Sequence, residues 1–480
     1  MTANLVPATG RQCRNIVFIL DDVHQLAKTD FSEQEKKYIE NQFNNKKKVV
    51  QINRFPEFLY VVFLNDEKER HIRLEDCRKS GFDICGQLND NKQTEIAIKS
   101  VEPHKDEIIA LAEGLALSNY KFNKYQTEKK DNTLESIIIE DQSFNVEDFD
   151  FLNATLDGTC WARDLVNEPV NKLNAEELAR QISEKVKSVG GKAEVFNKKK
   201  IETLKMGGLL AVNAGSLDEP TFTILEWKPE NAVNEKPIVL VGKGIVFDTG
   251  GYNLKTGSVM DDMKDDMSGA ASVAASVYAT AKAKLPVHVI ALVPATDNRI
   301  DGNAHVTGDI ITMYDGTTVE ILNTDAEGRL ILADALSYAK NYNPMCVFDF
   351  ATLTGAASRA IGPLASVVME KNAGEIYTNL EQSGFEVFER LVKFPMWEDY
   401  GEFIKSDVAD IKNTGAPFAG MIMAGKFLEH FTDYPWVHFD IAAPAFLEHK
   451  DSYRGIGGTG IHVRLLADFF KKMTKKYNKI

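Results

Sequence analysis

Cysteine is scarce in this 480-residue chain. The five present (Cys13, Cys77, Cys85, Cys160, Cys346) fall at irregular spacing, with no Cys-x-x-Cys pair. An odd, scattered set argues against a disulfide framework and fits a reducing cytosol. Cys346, inside an apolar run, reads as a small buried hydrophobe. Long hydrophobic runs are also missing: none approaches the roughly 18 apolar residues that a membrane span needs. The apolar stretch 16–20 is too short for the core of a secretory signal and runs into Asp21 and Asp22, so no signal peptide is expected. Positive charge is in deficit. With 56 Lys and Arg against 70 Asp and Glu, the formal net charge is −14. That argues against nucleic acid or an anionic membrane as the main partner. The basic runs Lys46–Lys48, Lys198–Lys200 and Lys471 to Lys479 are isolated and read as solvated surface.

Familiar catalytic signatures are absent too. There is no His-Glu-x-x-His, no Gly-x-Ser-x-Gly and no Gly-Lys-Ser/Thr, which excludes the helical zinc-protease motif, the serine nucleophile elbow and the phosphate loop. The nine histidines (His24, His71, His104, His288, His305, His430, His438, His449, His462) read as structural or surface residues.

What remains is an ordinary globular composition, 44% hydrophobic and 26% charged. The pattern changes near residue 150. Residues 1–150 hold short strands near 15–20, 59–64 and 136–140 and a helix over 105–118, which predicts a smaller N-terminal α/β domain. Over 151–480, apolar runs at 221–227, 237–241, 287–293, 319–322, 346–350 and 436–441 alternate with helical patterns, notably 159–166, 175–189, 269–284 and 330–342. Strands alternating with helices predict a mostly parallel sheet flanked by helices, with ligands at the carboxyl ends of its strands.

Two clusters fall at such strand ends. The first is Asn323-Thr324-Asp325-Ala326-Glu327-Gly328-Arg329-Leu330. Read as extended backbone, Asp325, Glu327 and Arg329 would point the same way. The second runs from Gly242-Lys243-Gly244 through Asp248-Thr249-Gly250-Gly251 and Lys255 to Asp265 and Asp266, ahead of a small-residue helix. Asp248, Asp266, Asp325 and Glu327 against Lys243, Lys255 and Arg329 is nearly balanced. The residues alone therefore leave three readings open: a metal site, a buried ion-pair network, and a phosphate or sugar site.

The octapeptide resembles the signature of the leucyl aminopeptidase family, the dinuclear-metal aminopeptidases of the cytosol. The blocks Gly242-Lys243-Gly244, Phe247-Asp248-Thr249-Gly250-Gly251, Asp266-Met267-Ser268-Gly269-Ala270-Ala271, Ala351-Thr352-Leu353-Thr354-Gly355-Ala356 and Lys405 to Asp410 are similar to it as well. The likeness covers about residues 160 to 466 and is slight before 150. It implies two divalent ions, zinc, manganese or magnesium. Lys243, Asp248, Asp266 and Glu327 would hold one; Asp248, Asp325 and Glu327 would hold the other. It implies that Lys255 stabilises the anionic intermediate, and that Arg329 holds a bicarbonate general base. Met263 and Thr352 would wall an apolar pocket for the first side chain, and Leu353 and Gly355 would bond the substrate backbone. Peptide substrates, preference for leucine or other apolar N-terminal residues, a homo-hexamer and a cytoplasmic location follow from the same likeness. Departures are Asp265 beside Asp266, residues 252–254 and 256 around Lys255, and Ser268, which is expected to cap the next helix. The alternatives are a DNA-binding regulator, against which the charge argues, and a catalytically silent scaffold, against which the complete motif argues.

Overall fold

The computed structural model describes residues 3–8, 10, 13–55, 57–64 and 68–477. The last two positions of the basic run ending at Lys479 lie outside the described residues. The chain forms two compact units. One takes residues up to 160 with 386–388 and 449–456; the other takes 161–385, 389–448 and the rest.

Among the described residues, the first unit contains a six-stranded sheet in the order Asn4–Pro7, Ser136–Glu140, Glu95–Ser100, Ile16–Leu20, Phe58–Phe63, Val49–Asn53. Its pairings are parallel except the last, where Val49–Asn53 closes the edge antiparallel to Phe58–Phe63. Val17 and Ile19 face one core with Leu74, Ile84 and Leu111 of the helices Arg70–Asp90 and Lys105–Ser118. Leu20, Leu59 and Val61 face a second core with Ile39 of the helix Glu33–Asn44. That helix begins at a capping box, Ser32 with Glu35.

The second unit is built on a sheet in the order Leu391–Lys393, Ser366–Lys371, Trp436–Asp440, Cys346–Ala351, Ile238–Gly242, Val289–Asn298, Thr221–Trp227, Lys192–Phe196, with Gly244–Asp248 pairing the far end of Val289–Asn298. The middle of the sheet is parallel. Thr221–Trp227, Lys192–Phe196 and Ser366–Lys371 join it antiparallel, which the periodicity did not reveal. Val239, Val241, Ile290, Leu292 and Val347 pack against Leu330, Ile331 and Leu336 of the helix Gly328–Ala339. The helix Ser268–Lys282 also packs on the central strands. Its run of Ser, Gly and Ala lets it lie very close to them. A Cβ on Gly269 would fall 2.0 Å from the Phe350 carbonyl oxygen.

Ser268 does not cap that helix. It is the first helical residue, and its hydroxyl donates to the Asp265 carbonyl at 2.5 Å. No described helix is long and apolar enough to cross a membrane.

Candidate active site

Both acidic clusters meet at the carboxyl ends of the central strands, but not in the way the octapeptide suggested. Asn323 to Ala326 form a turn, Glu327 is already in helical conformation, and Gly328–Ala339 is a helix. Period-two geometry therefore does not apply. Asp325 is delivered by the turn, Glu327 by the residue preceding the helix, and Arg329 by its first turn. The helix wins over the strand because Leu330, Ile331, Leu332 and Leu336 all find core partners at helical spacing.

Lys243 follows the strand Ile238–Gly242 and is fixed by its backbone. Its N–H donates to Phe350, and its carbonyl accepts from Ala270. Its ammonium lies 2.7 Å from each Asp266 oxygen, 2.9 Å from Glu327 Oε1 and 3.1 Å from the Thr352 carbonyl. Its direct ion-pair partners are therefore Asp266 and Glu327. Burial opposes its charge, but Asp266, Glu327 and Asp248 outweigh that and raise its pKa above 10.5.

Asp248 ends the strand Gly244–Asp248. Its Oδ1 accepts from Gly250 N and Asn298 Nδ2, each at 2.8 Å, and its Oδ2 lies 2.8 Å from Lys255 Nζ. Gly250 has φ of 87°, a backbone that glycine adopts freely and that turns its N–H back onto the carboxylate. Lys255 also reaches Asp325 Oδ1 at 2.6 Å, so it is no free surface lysine. Burial opposes its charge, yet Asp248 and Asp325 raise its pKa above 10.5.

The carboxyl groups are crowded. Burial first, and repulsion from Glu327 next, raise Asp248; burial raises Asp266 well above 3.8; burial and then Asp248 push Asp325 up to about 6. Glu327 goes down: burial is outweighed by Lys243. Asp265 is also buried, and desolvation pushes it up to about 7, with Asp262 adding to the rise. Of the adjacent pair, Asp266 is the one whose oxygens contact Lys243.

The donor set fits a cation. Ligand atoms of Asp248, Asp325 and Glu327 lie within 4.8 Å of one another. Four carboxylates share two ammonium groups, two to each, so the cluster carries a formal excess of two negative charges. Oxygen-rich donors of this kind suit zinc, manganese or magnesium.

Arg329 is 8% exposed. Its Nη1 donates to the Asn413 carbonyl at 2.7 Å, and its Nε has no partner among the described residues. Burial lowers it to about 10, with Glu327 and Asp440 pulling the other way. A buried guanidinium with an unfilled donor suits a small anion.

The expected pocket residues divide. Thr352 commits its hydroxyl to Asp266 Oδ1 at 2.7 Å. The Leu353 N–H is engaged with Asp440 Oδ1 at 3.2 Å. Gly355 is exposed at the start of the helix Gly355–Ile361, and Met263 is half-buried at the start of the short helix Met263–Met267.

Three residues at the site carried no sequence signal. Asn298 bonds Asp248. Asn413 accepts from Leu322 N and Asn323 N and donates to the Asn323 carbonyl. Asp440 holds Leu353 N, Ala442 N and the Thr354 hydroxyl. Most of their partners lie tens of residues away, so only a place at the end of a strand, a weak cue, could have pointed to Asn298 and Asp440.

A carboxylate-lysine centre at strand ends of a mostly parallel α/β sheet defines an α/β protein with a cation site where such sheets bind ligands. Comparison with known proteins narrows this. The cytosol aminopeptidase family, catalytic domain, matches residues 160–467, and its N-terminal domain matches residues 45–129. A probable cytosol aminopeptidase of Clostridium perfringens is 39% identical over 428 residues, covering 86% of this chain and 87% of that protein. One from Chlorobium phaeobacteroides is 47% identical over 378 residues, covering 75% and 74%. Among solved structures, a bottromycin maturation enzyme in complex with manganese superposes with a TM-score of 0.85 at 27% identity, covering 96% of this chain and 99% of that one. A mutant of tomato leucine aminopeptidase gives 0.84 at 26% identity, covering 98% and 96%. The chain belongs to the cytosol aminopeptidase family. It is a metal-dependent aminopeptidase, a hydrolase of peptides.

Proposed function

We propose that the protein releases leucine and other apolar N-terminal residues from peptides with a two-ion centre and a bicarbonate base. The carrying observation is the convergence of Asp248, Asp325 and Glu327 ligand atoms within 4.8 Å, with Lys243 linking Glu327 to Asp266. In this reading Lys243, Asp248, Asp266 and Glu327 hold one divalent ion, and Asp248, Asp325 and Glu327 hold the other. Zinc or manganese is favoured, with magnesium also compatible; the Mn-bound relative supports manganese. When bound, the ions supply Lewis-acid polarisation of the scissile carbonyl, a more acidic water and an anchor for the free α-amino group.

The side chains do the rest. Lys255, on a mobile four-carbon stem, donates to the oxygen that becomes anionic on the scissile carbonyl. Arg329 holds bicarbonate at its unfilled Nε, and that ion supplies general-base chemistry when bound. Leu353 and Gly355 line the substrate backbone, the Leu353 carbonyl being the group available once its N–H serves Asp440. Met263 and Thr352 border the pocket for the first side chain, where apolar walls favour leucine.

Residues 1–150 form an assembly or regulatory domain, 151–480 the catalytic domain, and the protein works as a homo-hexamer in the cytoplasm. Light scattering on the purified protein tests the hexamer.

The deciding experiment combines metal analysis with hydrolysis of leucine anilide by wild type, Lys255→Ala and Arg329→Ala. Loss of activity with chelator and recovery with manganese or zinc is expected. Wild-type rates in both variants would refute the assigned roles, and a protein that takes up no metal would refute the centre.

A further inference from the structure

We infer that Asn298 is a positioning residue that makes Asp248 a one-oxygen ligand and sets the register between the two halves of the centre. The inference rests on the two-ion reading above.

Asn298 is 1% exposed and ends the strand Val289–Asn298, which pairs with both strands leading to Lys243 and Asp248. Its amide donates two hydrogen bonds, to Asp248 Oδ1 at 2.8 Å and to the Thr324 carbonyl at 3.1 Å. Both partners are pure acceptors, so the amide nitrogen must face them. One side chain thus ties the Asp248 loop to the residue preceding Asp325. Its backbone carbonyl adds to the hold by accepting from Thr249 N and Oγ1.

Thr324 supplies a second stitch between the same loops. Its hydroxyl donates to Gly250 O at 2.7 Å and accepts from Asn253 N at 2.8 Å, and its N–H donates to Asn253 Oδ1 at 2.9 Å.

The consequence lies in lone pairs. A carboxylate oxygen accepts about two hydrogen bonds. Gly250 N and Asn298 Nδ2 fill Oδ1, so Asp248 offers only Oδ2 to a cation. Without the Asn298 donor, only Gly250 N holds Oδ1, one of its acceptor positions is freed, and the carboxylate can turn toward the Lys243 side. The ion shared with Asp325 loses most, because the Asn298 bond to the Thr324 carbonyl goes too, leaving the Thr324 stitch to hold the two loops together.

The test is Mn2+ titration of the full chain by calorimetry and electron paramagnetic resonance, comparing wild type, Asn298→Ala and Asn298→Ser, with folding checked by near-UV circular dichroism. Two ions are expected in wild type. In both variants one ion keeps its affinity, and the other weakens roughly 10–100-fold, the usual cost of losing an outer hydrogen-bond partner. Serine, small and still a donor, should fall between alanine and wild type. Unchanged affinities overturn the inference. So does equal weakening of both ions, which would mean general loosening, and so does failure of both variants to fold, which would make Asn298 a folding determinant. A wild type that binds fewer than two ions refutes the two-ion reading itself and removes the premise.

Discussion

Gly328 and Lys243 occupy each other's space: a Cβ on residue 328 would fall 2.3 Å from Lys243 Cε and 2.7 Å from its Nζ. The glycine that opens the helix Gly328–Ala339 is thus what allows the lysine to cross to Asp266. The atoms in conflict belong to the far end of a flexible side chain, so the fold can yield by letting Lys243 swing away. Gly328→Ala should therefore fold, with a melting temperature within a few degrees of wild type, and lose metal affinity by roughly tenfold or more. Differential scanning calorimetry and metal titration on one preparation check both halves. Unfolding, or intact metal binding, would contradict the steric argument.

Arg329 gives a prediction tied to an added reagent. If its unfilled Nε seats the base, Arg329→Ala should lower kcat by roughly 100-fold or more, the ordinary range for general-base catalysis. The variant should also lose any response to added bicarbonate in carbonate-free buffer. Arg329→Lys should keep part of the response, since it retains the charge but not the planar donor set. A variant that is slower yet still stimulated as strongly as wild type would place the anion elsewhere.

Asp440 predicts a contrast between two substitutions. Its Oδ1 accepts from Leu353 N and Ala442 N, and its Oδ2 from the Thr354 hydroxyl. In Asp440→Asn the amide oxygen can keep the two N–H donors, while the hydroxyl can turn and accept. Asp440→Ala leaves those N–H groups unpaired and frees the 352–355 loop. KM for a leucine anilide should rise roughly tenfold in the alanine variant, about 1.4 kcal/mol, and far less in the asparagine variant. Equal effects in the two variants would argue against loop anchoring.

His438 predicts a pH dependence of stability. Its Nδ1 lies 2.6 Å from Asp349 Oδ1, and Asp349 Oδ2 accepts from Trp436 Nε1 at 2.7 Å, all fully buried. Burial opposes charge on the ring, but Asp349 and then Asp440 outweigh it, against Arg329, and raise its pKa above 6.5. A histidine raised in the folded state contributes stability that is complete below its unfolded pKa, about 6.5, and is lost as pH rises through the folded value. His438→Gln should thus be destabilised most at pH values below about 6.5, by about 3 kcal/mol for one half of a buried pair. The gap should narrow as the pH is raised. Urea midpoints of both proteins across pH 6 to 9 give the difference directly; a constant gap would contradict a His438 titration in that range.

Much of the framework was legible along the chain. The helix Lys105–Ser118 and the strands Ser136–Glu140 and Thr221–Trp227 fall where periodicity put them, because each buries a face whose spacing is written locally. The helices Glu33–Asn44 and Arg70–Asp90 are less legible along the chain, although Ser32 and Glu35 do write a capping box. Arg70–Asp90 buries Glu75 and Arg78 among its apolar residues, which blurs its amphipathic stripe.

The sequence by itself determined the inventory of the site: which carboxylates, which lysines, and the family whose motif contains them. Tertiary structure alone decided their pairing and orientation. Lys243 meets Asp266 and Glu327 and not Asp248, and Lys255 spans Asp248 and Asp325. The octapeptide turns into a helix where its spacing suggested a strand. The reason is that identity is a local property, whereas a carboxylate's direction is set by donors such as Asn298 and Thr352, which the sheet brings in from distant parts of the chain.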